Sequence, residues 1–356
     1  MGNPYRGLDD SSFWSRAMLG PAPGQIDPLT SYEQILPHEK IATMGSCFAQ
    51  HLAKHIEASG LNYYVAETAP SEMALAEAKR RNYGVFSARY GNVYTVRQAL
   101  QLFDRSFGSF VPAEDVWRKD DGFVDPFRPQ IEPDPFDSPA AVRGSAAVHL
   151  GHVRRVFSEC DWLVFTLGLT EAWRSKVDGA IYPTAPGVSG GTFDPAQHEF
   201  VNFTADEVQR DLADFIQKLH DVNPTAKVLL TVSPVPLIAT YEKRHVLVST
   251  TFSKAALRVA ADVAERTFQQ VTYFPAYEII TSPAAGGRYF CDDLRQIRDV
   301  GVRHVMRVFS RHFVGGTPHT SPRVGASLPN LAPDDDIVCD EEVIERALQA
   351  SGFKNR

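Results

Sequence analysis

The chain has 356 residues, 44% hydrophobic and 22% charged, the balance of an ordinary globular protein with room for one large domain or two smaller ones. Its net charge of −7 carries no basic excess, which argues against nucleic acid as the main partner. Four widely spaced cysteines with no CxxC pair suggest neither a disulfide framework nor a zinc ribbon, and no apolar run is long enough to span a bilayer. The N-terminus has no apolar signal core, so a cytoplasmic location is expected.

Residues 1–40 are rich in Pro, Gly and aromatics and read as a strap over a core, with Phe13, Trp14 and Tyr32 as its anchors. Ile41-Ala-Thr-Met44 reads as a short strand, and Cys47 to Ser59 as a helix with Phe48, Leu52 and Ile56 on one buried stripe. Residues 92–103 read as a helix entered through Tyr90-Gly91-Asn92. In residues 104–139 Asp, Pro and Phe dominate, so regular structure is not expected there. An insertion that long is either a lid or binding loop or a plain surface insertion. Its interleaved Pro and Phe, 123–136, could grip a sugar or acyl chain or simply pack.

Ala140 to Glu159 has helical spacing, and Trp162-Leu-Val-Phe-Thr166 is a continuous apolar run, as in a buried parallel strand. A Gly/Pro-rich stretch, 182–191, follows. Thr204-x-x-Glu207 is a capping box that opens a helix with Val208, Leu212, Ile216 and Leu219 on one face. Lys227 to Ser233 reads as another buried strand, Ser253 to Phe268 as a helix, Val271 to Pro275 as a last strand and Val302 to Phe313 as a last helix. Strands alternating with helices imply a parallel sheet covered on both faces. Residues 315–336 look like a linker, with a short helix at about Glu341 to Ala350.

Ser46 stands where a strand ends and a helix begins. Helix-end N–H groups stabilise negative charge there, and α/β sheets place ligands at such edges. The position suits a nucleophilic hydroxyl; Ser is also a preferred helix N-cap. Cys47 beside it is a second candidate nucleophile.

The run Met44-Gly-Ser-Cys-Phe-Ala49 resembles the signature of the GSCFA family of bacterial proteins. Tyr90-Gly-Asn-Val-Tyr-Thr95, Thr166-Leu-Gly-Leu-Thr-Glu-Ala-Trp173, Thr231-Val-Ser-Pro-Val-Pro236, Ser253-Lys254 and Phe274-Pro-Ala-Tyr-Glu278 look like its later blocks, in order. The resemblance covers roughly residues 1–314, which sets a domain there with an insertion at about 104–139 and leaves 315–356 as linker and tail. That family is similar to the SGNH (GDSL-like) hydrolases. The likeness implies a three-layer α/β/α sandwich with a mostly parallel sheet, and an esterase or acyltransferase that acts on an ester-linked acyl group, often on an acylated carbohydrate. The alternative is a catalytically degenerate SGNH fold that binds a glycan or a protein, with the tail as the partner-binding piece. A third option, phosphoester cleavage, lacks an obvious metal cluster.

By that resemblance Ser46 is the nucleophile. Its own N–H, Gly91 N–H and a donor at Asn92 or Thr170 would hold the oxyanion, with Thr170 in place of the family's asparagine. The Asp-x-x-His block fails: Asp292 and Asp293 stand in the right region, but Arg295 and Gln296 follow where the histidine belongs. A serine needs a base, and three histidines compete. His245 lies in the loop after the 227–233 strand, His198 before the capping box, and His304 inside the last helix. His245 is the first choice, with Asp293 or Asp292 to orient it or bind substrate; either Asp could instead pair with Arg295 or Arg298. Glu171 follows a buried strand, where a raised pKa and a site role are expected, or a plain helix-start carboxylate. Cys47, His51 and His55 share one helix face at a spacing zinc could use, but no fourth ligand accompanies them, so neither a metal nor a cofactor is expected.

Overall fold

A computed structural model describes residues 3–22, 24–314, 342–344 and 346. In chain order it has α1 (Trp14–Leu19), β1 (Ile41–Gly45), α2 (Phe48–Ala58), α3 (Leu75–Arg80), α4 (Val96–Phe107), β2 (Trp117–Lys119), β3 (Gly122–Val124) and α5 (Pro139–Glu159). Then come β4 (Trp162–Leu167), β5 (Glu171–Ser175), β6 (Ile181–Tyr182), β7 (His198–Asn202), α6 (Ala205–Val222) and β8 (Lys227–Val232). The remaining elements are α7 (Val246–Thr267), β9 (Val271–Tyr273), α8 (Ala276–Thr281) and α9 (Asp299–Phe313). Residues 342–344 and 346 are helical. The linker and the rest of the expected tail helix lie outside the described residues.

The main sheet is parallel, in the order β1-β4-β8-β9. Every residue of central β4 is buried, which is why that strand reads as an unbroken apolar run. Side chains alternate between two layers. Met44, Phe165 and Leu230 pack with Phe103, Phe157, Phe215 and Leu257 from α4 to α7. Ile41, Val164 and Leu229 pack with Leu52, Ile279 and Phe309 from α2, α8 and α9. The chain is therefore a three-layer α/β/α sandwich, as expected.

The capping box forms: Thr204 Oγ1 accepts the Glu207 N–H, and a Glu207 carboxylate oxygen accepts the Thr204 N–H at 2.8 Å. Helix α7 begins seven residues before the expected Ser253, because His245 caps it in place of a Ser or Thr. Of the expected strap anchors, Tyr32 packs edge-on against His312 and Phe313, but Trp14 does not serve. Trp14 is exposed, since α1 buries nothing, while Ile26 and Ile35 enter the core. His304 Nε2 donates to Ile26 O at 2.7 Å and helps fasten this segment.

The insertion does contain regular structure, contrary to expectation. β2 and β3 form an antiparallel hairpin, and Trp117, Val124 and Phe127 form a small core with Tyr182. A buried ion pair pins it: Arg128 Nε donates to Asp125 at 2.8 Å, with both side chains 2% exposed. Burial alone pushes the Asp125 carboxyl up, but Arg128 and Arg105 beside it bring it below the usual carboxylate range. Removing one partner strands the other charge. Asp125→Ala is expected to cost about 3–5 kcal/mol, read as a lower urea midpoint at unchanged slope.

Residues 171–202, where the sequence reads only a Gly/Pro-rich stretch at 182–191, hold a second, antiparallel sheet in the order β6-β5-β7.

Candidate functional site

Ser46 lies at the carboxyl edge of the sheet, between β1 and α2, where its neighbours are set by backbone pairing. Its N–H donates to Thr166 O at 3.2 Å. Gly45 before it adopts φ +133°, and a Cβ there would stand 2.2 Å from Thr166 O, so glycine is required for β1 to close on β4. Ser46 is 3% exposed, and its buried Oγ has no hydrogen-bond partner. An orphaned buried hydroxyl is rare in folded proteins and calls for a reason. The amides that open α2 have no side-chain cap, so Ser46 does not act as the N-cap acceptor.

Two segments close around it. Val93 N–H donates to Gly45 O at 2.8 Å, which brings Gly91 and Asn92 beside the end of β1. Asn92 is buried, and its side-chain oxygen accepts from Gln50 Nε2 at 3.3 Å. After β4, the Gly168 and Leu169 N–H groups both donate to Tyr94 O. A Cβ at Gly168 would lie 2.9 Å from Tyr94 O and 3.1 Å from Ser46 Cβ, so this turn presses directly on the serine.

Several expected donors are engaged elsewhere. The Ser46 N–H serves Thr166. Thr170 Oγ1 donates to Asn202 Oδ1 at 2.7 Å, and Thr170 N–H donates to Ser253 Oγ at 3.0 Å. Glu171 accepts from Thr240 Oγ1 at 2.7 Å and from the Tyr241 N–H; burial raises its pKa, as expected.

None of the three histidines hydrogen-bonds to Ser46 Oγ. His198 is buried beside the second sheet, where Nδ1 accepts the Asp194 N–H and Nε2 faces Glu114 at 3.1 Å. His304 is held by Tyr289 and by Ile26 O, and burial lowers its pKa. His245 is exposed and uses Nδ1 to accept the Leu247 N–H at the start of α7. A neutral imidazole that accepts through Nδ1 carries its proton on Nε2, so in this arrangement His245 has no nitrogen left to act as base. Asp293 Oδ1 accepts the Arg295 and Gln296 N–H groups, and Asp292 pairs with Arg298 at 2.7 Å. In the helix carrying Cys47, His55 faces Ser310 Oγ at 2.7 Å, and no cluster of three possible metal ligands occurs among the described residues.

A cavity of about 540 Å³ is lined by Pro236, Leu237, Val246, Asp293 and Arg295, among others. Leu237 and Val246 pack with Leu169 and Tyr94, so this cavity adjoins the turn that touches Ser46.

One residue was passed over as chemistry. Lys254 is 1% exposed, and its Nζ donates to Gly168 O at 2.7 Å. The helical period had the signal: Lys254 stands three residues before Leu257 and seven before Ala261, on the buried face of α7.

Fold and site together define an α/β/α sandwich protein with a buried serine at the carboxyl edge of a parallel sheet, the place where such folds bind ligands. The chain belongs to the GSCFA family, whose model matches residues 40–309. No curated protein matches it. Among solved structures it is similar to a carbohydrate esterase family 2 enzyme with a carbohydrate-binding domain from Corynascus thermopiles (Myceliophthora fergusii). The two share 12% identity over 79% of this chain and 68% of that one, with a TM-score of 0.26. So loose a likeness says nothing of what this chain does. Among the described residues no helix is long and apolar enough to cross a membrane.

Proposed function

We propose that this chain is a serine ester hydrolase or O-acyltransferase with Ser46 as its nucleophile. The observation that carries this is the Ser46 hydroxyl itself: buried, without a partner, and held at the sheet edge by a glycine that the backbone requires. Burying an unpaired hydroxyl costs about 1–3 kcal/mol, which a purely structural position would shed by mutation to Ala. The substrate class is an ester-linked acyl group, and the SGNH likeness points to acylated carbohydrates.

In this scheme Ser46 Oγ bonds to the ester carbonyl carbon and its proton passes to a base. The amides of Cys47 and Gly91 hold the oxyanion, since the Ser46 N–H is bonded to Thr166 O. Collapse breaks the bond to the leaving alcohol, which takes up the proton. Water or an acceptor hydroxyl then frees Ser46. In this conformation Oγ is shielded, so substrate entry requires a neighbouring loop to move.

The test is reaction with a fluorophosphonate, followed by peptide mapping. The label is expected on the peptide that carries Ser46. Absence of label there, together with binding of acylated sugars without turnover, would favour a non-catalytic binding module instead.

A further inference from the structure

We propose that Lys254 is the general base for Ser46, an assignment that rests on Ser46 being the nucleophile. Lys254 is the one buried lysine among the described residues. Lysine is among the residues least often fully buried, and a sequestered amine is a common source of general-base chemistry.

Its position is set by two neighbouring residues of α7 that grip one turn. Lys254 Nζ donates to Gly168 O at 2.7 Å, and Ser253 Oγ accepts the Thr170 N–H at 3.0 Å. Gly168 in turn lies against Ser46: a Cβ on it would stand 3.1 Å from the serine Cβ. The amine is thus bonded to the residue that touches the candidate nucleophile. The histidines weighed for the same task are engaged elsewhere: His198 with Asp194 and Glu114, His304 with Tyr289 and Ile26, and His245 as a helix cap. Serine–lysine pairs are an established variant of the serine–histidine arrangement.

Neutral Nζ takes the proton from Ser46 Oγ as the Oγ–carbon bond forms and the carbonyl electron pair moves to oxygen. The resulting ammonium gives that proton to the leaving oxygen as its bond to carbon breaks. Water, deprotonated by Nζ, then bonds to the acyl carbon; the carbon–Oγ bond breaks, the ammonium returns its proton to Ser46 Oγ, and the acyl group leaves as its acid. Nζ and Oγ are not hydrogen-bonded in this conformation; catalytic hydrogen bonds often close only in the substrate complex.

Fluorophosphonate labelling followed by intact mass tests this in the full chain, because Oγ bonds to phosphorus, fluoride leaves, and the same proton must go to a base. Wild type is compared with Lys254→Arg, Lys254→Met and Lys254→Gln, each melted in parallel by circular dichroism. Arginine keeps charge and donors but cannot accept a proton; glutamine keeps an amide donor without the charge or a basic nitrogen. All three are expected to melt cooperatively and to react at least thirtyfold more slowly, with the loss in kinact and not in KI. A smaller loss in any folded variant overturns the base assignment and leaves Ser46 as nucleophile. No label on wild-type Ser46 removes the nucleophile and the base together. Failure of all three to fold would make Lys254 a structural residue and would also overturn the assignment.

Discussion

Ser46→Ala is expected to abolish ester hydrolysis while leaving the fold as stable as before, or more so. Loss of a serine nucleophile removes about three or more orders of magnitude in kcat, and what remains comes from oxyanion stabilisation and binding. The stability side follows from the orphaned Oγ. Deleting a buried hydroxyl that bonds to nothing removes a desolvation penalty, so the melting midpoint should hold or rise, by at most about 3 kcal/mol in stability. p-Nitrophenyl acetate turnover and thermal melting, measured on the same preparation, check both halves. Wild-type turnover in Ser46→Ala would remove the proposed mechanism. A marked loss of stability would show instead that the hydroxyl has a structural partner.

Gly45→Ala should be the most disruptive single-methyl change at this edge. The added carbon would meet Thr166 at three backbone atoms: 2.2 Å from its oxygen, 2.8 Å from its nitrogen and 2.9 Å from its carbonyl carbon. Backbone cannot move aside as a flexible side chain can, and φ of +133° is itself strained for alanine. The last rung of the β1–β4 ladder must then open, and Ser46 shifts with it. A loss of about 4 kcal/mol or more is expected, in the range reserved for core and backbone failures. Urea unfolding monitored by tryptophan fluorescence reads it directly. A midpoint close to wild type would mean that β1 and β4 can separate at this rung without cost.

These expectations rest on features that differ in how local they are. β4 and β8, α6 with its capping box, and the Ser46 junction were legible, because an apolar run, a 3.6-residue stripe or a cap is complete within a few residues. The second sheet was not. β5 pairs with β7 across a Gly/Pro-rich stretch, and its other neighbour, β6, is two residues long, too short to carry a period. The hairpin in the insertion was missed for the same reason: two three-residue strands in a background of Asp, Pro and Phe. Trp14 was misplaced as an anchor because aromatic content says that a residue can be buried, not that a partner is there to bury it.

The histidines mark the limit most clearly. Sequence places His245 in the loop after a strand, His198 before the capping box and His304 near the expected Asp-x-x-His block, and no more. Their roles depend on which atoms arrive from elsewhere, such as Ile26 O, which meets His304 from 278 residues away. The same holds for Lys254 and Gly168, 86 residues apart in the chain.

By itself the sequence determined the α/β alternation, the parallel sheet and a serine at its carboxyl edge, because these follow from local periodicity and from what strand-to-helix junctions are. Only the tertiary structure decided that Ser46 Oγ stands unpartnered, that the expected bases and two expected oxyanion donors are engaged elsewhere, and that the Lys254 amine bonds to the turn at Gly168. Hydrogen-bond partnership between distant segments is settled by packing of the whole layer, and no window of neighbouring residues contains it.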